Sequence, residues 1–213
     1  VIVVDPGHNG QNRNHPEIIN QLVPAGFGQT KPCNTTGTAT NAGYPEYEFT
    51  WNVGNALAAK LRADGATVIL TRNSDDGVGP CVNKRAEIGN DAHADAVVSI
   101  HGDGEVAGMR GFYVMTAAQD PAGAAMAAQS MDLARAIRNG MEGAGFPPSN
   151  GLGSDGLWKR NDLAGLNLSV RPTVMIECGN MRNANEAATM SSGSGQDQYA
   201  AGIAAGVVAF FGG

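Results

Sequence analysis

Four residues spread over most of the chain carry the chemistry that this sequence could perform: His8, Glu48, His101 and Glu177. Three of them follow apolar runs. His8 comes after Val1-Ile2-Val3-Val4 and the bend Asp5-Pro6-Gly7, His101 ends the run at 95–100, and Glu177 stands directly after Val174-Met175-Ile176. Glu48 falls in the first turn of a helical pattern. Imidazole and carboxylate are the ligand types of catalytic zinc, which commonly takes three protein ligands and leaves one position open. Two histidines and a glutamate fill that role, and a further carboxylate that is not itself bound can take the proton of an attacking water. A glutamate near a helix amino terminus is otherwise ordinary, because its charge complements the helix dipole, and this covers Glu48 and Glu46 alike. A carboxylate straight after an apolar strand is less ordinary, since that position is often partly buried.

Convergence of these residues requires a particular scaffold. Apolar runs without alternation read as strands buried on both faces of a parallel sheet. Parallel strands share a carboxyl edge, where sites are built in open α/β sheets. Residues 46–61 have helical spacing through Trp51, Val53, Leu57 and Leu61, stopped by Asp64-Gly65, and 66–71 is the second strand of a crossover unit. A short helix is expected at 81–92, strands at 95–100 and 109–115, and an Ala-rich helix at 121–141. Residues 144–165, with Trp158, read as loop and 166–170 as a short strand. The last strand is expected at 172–177, a helix at 184–190, a flexible turn at 191–195 and a closing helix at 196–211. The expected fold is one α/β domain over 1–213. Its sheet is twisted and mostly parallel, or mixed, with about six strands and helices on both faces. A long polar loop occupies about 10–47, and His15-Pro16-Glu17 within it reads as surface.

Composition narrows the function. A formal net charge of -6 without a basic run disfavours a nucleic-acid partner. No apolar run reaches membrane-spanning length. Gly7, Gly10 and the neighbouring polar residues fit neither a G-x-G-x-x-G nor a G-x-x-x-x-G-K pattern, and the chain has no G-x-S-x-G elbow and no H-E-x-x-H helix. Of three cysteines, Cys33 and Cys81 each follow a proline in polar sequence, whereas Cys178 follows an apolar run. That difference allows one loop-to-loop disulfide, Cys33 with Cys81, plus one buried thiol, and an oxidising compartment. Three reduced thiols in a cytoplasmic protein are the alternative.

Taken together the motifs carry a family resemblance. The chain resembles the zinc-dependent N-acetylmuramoyl-L-alanine amidases of the third amidase family, which act on peptidoglycan. Asp5-Pro6-Gly7-His8-Asn9-Gly10 looks like the family's opening turn, Glu48 and Asn52 like its helix motif, and Thr71, Arg72, Asp75 and Arg85 like its Thr-Arg turn. Ser99-Ile100-His101 and the group Glu177, Gly179 and Asn183 are similar to its later motifs. The resemblance implies that His8, Glu48 and His101 hold one Zn2+ per chain and that Glu177 is the general acid and base. It also implies cleavage of the amide between N-acetylmuramic acid and the L-alanine of the stem peptide. Arg72, Asp75, Arg85 and Asn52 would support the site or touch substrate. Peptidoglycan fragments or muramoyl peptides would be the partners of a monomer that works outside the cytoplasm, in periplasm or cell wall, after loss of a signal peptide. Asn9 stands where the family usually has Gly, and Gly102-Asp103 where Ala-Asn is common. A zinc peptidase or deacetylase on a related wall polymer, or a silent peptidoglycan-binding module, are the other readings.

Overall fold

In the computed structural model, which describes residues 1–119 and 121–213, the chain forms a six-stranded sheet and a two-stranded hairpin. β1 (Ile2–Pro6) leads through α1 (Pro16–Ile19) and the hairpin of β2 (Leu22–Gly26) and β3 (Gln29–Pro32) to α2 (Glu46–Ala63). Then come β4 (Val68–Leu70), α3 (Val82–Asp91), β5 (Ala96–Asp103), β6 (Tyr113–Ala117) and α4 (Ala124–Gly143). The chain closes with β7 (Leu157–Arg160), α5 (Ala164–Asn167), β8 (Thr173–Asn180), α6 (Ala184–Met190) and α7 (Gly193–Phe210).

The large sheet has the order β4-β1-β5-β8-β6-β7. Its first four strands are parallel. β6 lies antiparallel to β8, and β7 runs parallel to β6, so the sheet is mixed. Alternation along β1 divides the core, because successive side chains of a strand point to opposite faces. Ile2 and Val4 join Phe49, Val53 and Leu57 of α2, Leu133 and Ile137 of α4, and Tyr199, Ile203 and Val207 of α7. Val3, between them, packs with Val97 and with Ile88 of α3 on the other face. Burying each large apolar side chain contributes roughly 1.5–3 kcal/mol. The helical layers on both sides explain why the central strands show no polar alternation. No helix among the described residues is long and apolar enough to cross a membrane.

Four expectations need correction. The stretch at 10–47 is not one irregular loop: it contains α1 and the β2–β3 hairpin, whose mostly exposed residues give no apolar period to detect. Residues 166–170 do not form a strand. The chain makes the single-turn α5, held from a distance by Asn167 Nδ2, which donates to the carbonyls of Ala25 and Asn161. Trp158 lies in β7 rather than in a loop, with its ring edge-on to Tyr113 at 5.7 Å between centroids. The turn at 191–195 is also mostly helix, since Ser192 Oγ caps α7 by accepting from the Gly195 amide at 3.1 Å.

Cys33 and Cys81 form a disulfide 48 residues apart in sequence, and Cys178 is a buried free thiol. Chain entropy for a loop of this size corresponds to about 4 kcal/mol, a ceiling that native-state strain commonly reduces. Joint replacement by Cys33→Ser and Cys81→Ser is expected to lower the denaturant midpoint, with a loss of unfolding free energy of up to that amount. An unchanged midpoint would show that the bond does not constrain the unfolded chain.

Candidate active site

β1, β5 and β8 deliver the chemistry to one sheet edge. The last β1–β5 register pair is Pro6 with Ile100, so His8 and His101 lie just beyond it. In the β5–β8 register His101 stands beside Glu177. Gly7 is required by this convergence, because a Cβ there would lie 2.3 Å from the His101 ring. His8 adopts φ 58°, a left-handed conformation that is uncommon outside glycine and clusters at functional sites. The Arg85 guanidinium offsets that cost by donating to the carbonyls of Pro6 and His8, each at 2.7 Å.

Glu46 is the carboxylate that meets the histidines. Its Oε1 lies 3.1 Å from His8 Nε2 and 2.9 Å from His101 Nδ1, and accepts from the Gly102 amide at 3.1 Å. Its Oε2 accepts from the Thr38 amide at 2.8 Å. One ligand atom from each of His8, Glu46 and His101 falls within 4.8 Å of the others. Burial by itself would raise the Glu46 pKa, but the His8 charge and hydrogen bonds from both imidazoles outweigh it and hold the carboxylate well below the usual range. Conversely, burial would lower the His8 pKa, and Glu46 draws it above the ordinary value.

Glu48, the ligand expected from the resemblance, does not join this group. It is exposed, whereas Glu46 is 3% exposed. The reason is helical phase. Glu46, Phe49, Val53, Leu57 and Leu61 form the buried stripe of α2, and Glu48 lies off it. Glu46 precedes Phe49 by three residues, a spacing that the apolar periodicity extended backwards would have shown. Asn52 faces elsewhere too, donating to the Tyr44 hydroxyl at 3.3 Å.

Glu177 lines the same cavity, which has a volume of about 340 Å3 and also exposes His8, Glu46, His101, Lys31 and Met175. Its Oε2 is buried without a hydrogen-bond partner among the described residues. Burial first, then the carboxylates of Glu46 and Asp103, push its pKa well above the ordinary value against the opposing Arg160. The neighbouring Tyr113 hydroxyl donates to Asp103 Oδ2 at 2.9 Å, not to Glu177. The result is a carboxyl group with free proton-accepting capacity beside two imidazoles and an anionic carboxylate.

Beneath the site lies a buried polar frame. Asp5 accepts from Arg85 and Ser99 at 2.6 Å each and from Thr71 at 2.5 Å. Burial alone would raise its pKa; Arg85 and the two hydroxyls reverse this and hold it at about 2. Arg72 donates to the carbonyls of Pro6, Tyr47 and Ser74 and to Asp75 Oδ1, and its guanidinium lies 4.8 Å from the centre of the Trp51 ring. The contacts of Arg85 with Asp5, Pro6 and His8 and those of Arg72 with Pro6 and Tyr47 fix the chain that carries His8 and the start of α2, while Ser74 and Asp75 tie Arg72 to its own loop. Arg85→Ala would leave Asp5 buried without its cation, and breaking such a pair costs roughly 3–5 kcal/mol. Thermal unfolding of the variant should show that loss. An unchanged melting temperature with a raised Michaelis constant would instead assign Arg85 to substrate.

The family profile described as N-acetylmuramoyl-L-alanine amidase, the third amidase family, matches residues 2–209. The chain is 44% identical over 210 residues to the N-acetylmuramoyl-L-alanine amidase Rv3717 of Mycobacterium tuberculosis, covering 99% of this chain and 86% of that one. Its structure is similar to the crystal structure of the amidase Ami1 from Mycobacterium smegmatis, with TM-score 0.94, 40% identity and coverage of 99% and 96%. It is equally similar to the apo form of Ami1 from Mycobacterium abscessus, with TM-score 0.94, 44% identity and coverage of 99% and 97%.

Proposed function

The chain belongs to the N-acetylmuramoyl-L-alanine amidases of the third amidase family, and on that premise we propose that it hydrolyses the amide between N-acetylmuramic acid and L-alanine of peptidoglycan with one zinc ion held by His8, Glu46 and His101. The observation that carries the metal assignment is the meeting of both imidazoles on Glu46 Oε1, at 3.1 and 2.9 Å. The residues fit the ion. Zinc–ligand distances of about 2.0–2.1 Å imply donor atoms roughly 3.3 Å apart in a tetrahedron. Two neutral nitrogens and one carboxylate oxygen match its ligand preference.

Zinc, when bound, supplies a Lewis acid for the scissile carbonyl and makes a water acidic enough to attack near neutral pH. Glu177 acts on the proton. Its carboxylate accepts the proton of the attacking water and returns it to the nitrogen of the leaving L-alanine. Its raised pKa brings base and acid forms closer in energy near working pH, which general catalysis favours. Pro32, Val82, Leu163 and Met175 give the cavity apolar walls that limit water around the reacting amide.

The deciding experiment incubates zinc-loaded protein with a soluble muramoyl peptide and identifies the products. A free L-alanine amine with intact peptide and intact acetamido group is expected. A cut peptide bond or released acetate would assign a peptidase or deacetylase, and absence of turnover would leave a binding module. The Cys33–Cys81 disulfide supports a place of action outside the cytoplasm. Action as a monomer remains part of the proposal and is checked by the mass of the protein in solution.

A further inference from the structure

We propose that Asn12 is a positioning residue of the metal centre, acting on His8 through the main-chain carbonyl of Thr35. This rests on the assignment of His8 as a ligand. Asn12 is fully buried although its sequence surroundings are polar. Its amide is used on both sides: Oδ1 accepts from the Gly79 amide at 2.8 Å, and Nδ2 donates to the Thr35 carbonyl at 2.8 Å. The same carbonyl lies 3.1 Å from His8 Nδ1. A carbonyl oxygen has two lone pairs. Asn12 occupies one and so directs the other at the imidazole. A ligand histidine whose Nδ1–H is held by a carbonyl presents Nε2 to the metal in a fixed tautomer and orientation.

The segment that carries Thr35 is a strap across the site, tied at both ends. At one end Cys33 is bonded to Cys81, and Asn34 Nδ2 donates to the Pro80 carbonyl at 2.8 Å. At the other end the Thr38 amide donates to Glu46 Oε2, and the Glu46 amide donates to the Thr38 carbonyl at 2.9 Å. Between the ends, Gly37 passes so close that a Cβ would lie 2.7 Å from Glu46 Oε2 and 2.9 Å from the His8 ring. The strap therefore touches two ligands at once. Among the described residues, Asn12 is the side chain that bridges the middle of the strap to the 79–81 turn, where the disulfide is anchored.

The test compares wild type and Asn12→Ala by zinc affinity, measured by chelator competition, and by solvent exchange of the His8 Nδ1–H resonance. Outer-shell partners of ligand histidines typically contribute about 10–100-fold in metal affinity. Asn12→Ala, acting one bond further out through the Thr35 carbonyl, is expected to lose affinity by less than that factor and to exchange the His8 Nδ1–H faster, and adding Cys33→Ser with Cys81→Ser should weaken binding further. Asn12→Asp serves if the alanine variant fails to fold, because it retains the acceptor for Gly79 and removes the donor to Thr35. Wild-type affinity together with a protected Nδ1–H in either variant overturns the proposal. If wild type itself bound no zinc, the metal assignment would fall, and the exchange comparison in metal-free protein would still decide the part played by Asn12.

Discussion

Glu46→Ala is expected to abolish stoichiometric zinc binding and turnover, while Glu48→Ala two residues away leaves both within a few-fold of wild type. The contrast follows from where each carboxylate lies. Glu46 is buried against both imidazoles, and Glu48 projects into solvent. Removing one of the three proposed ligands should exceed the about 10–100-fold cost of losing an outer-shell partner. Glu46→Gln sharpens the test because it keeps the size and one acceptor but removes the charge that His8 and His101 face. Metal content by elemental analysis, with chelator competition for affinity, gives the readout. Zinc retained in Glu46→Ala and lost in Glu48→Ala would reverse the assignment. Folding should survive either change, since a domain with this core need not depend on metal to fold.

Glu177→Gln should fold, bind one zinc and turn over about 10²–10⁴-fold more slowly, because a carboxamide cannot take the proton of the attacking water. The Michaelis constant should change little. In metal-free protein Glu177 ionises only above the ordinary glutamate value of 4.5, because of its burial and the Glu46 and Asp103 carboxylates, and stability depends on pH accordingly. Below pH 4.5 the group is neutral in both folded and unfolded chains, so its contribution is fully present. As pH rises, the unfolded chain ionises first and stability is lost through the folded pKa. Metal-free Glu177→Gln should therefore match wild type near pH 4 and become the more stable protein toward neutrality. Turnover within a few-fold of wild type would remove Glu177 as the base. A melting-temperature difference independent of pH would show that the buried carboxyl is not held neutral by its surroundings.

Three of the four site positions were legible in the sequence because the backbone alone places them. Val1 to Val4, residues 95–100 and Val174 to Ile176 read as buried strands, and parallel strands share a carboxyl edge, which allows His8, His101 and Glu177 to approach one another. Cys33 and Cys81 were distinguishable from Cys178 by polar against apolar neighbours, and the structure joins them. The exposed hairpin and α5 were illegible for the converse reason: their positions depend on long-range bonds, such as Asn167 to Ala25, that leave no local period. The remaining candidate position, the carboxylate at the start of α2, was a question of rotation. Two residues along a helix turn a side chain by roughly 200°, so Glu46 and Glu48 are equivalent as members of a first turn and opposite as neighbours of a core. Sequence determined that a carboxylate would start α2 beside the sheet edge. Only packing of Phe49, Val53 and Leu57 against β1 and α7 decided which one faces the histidines, because burial of that stripe fixes the helix about its axis.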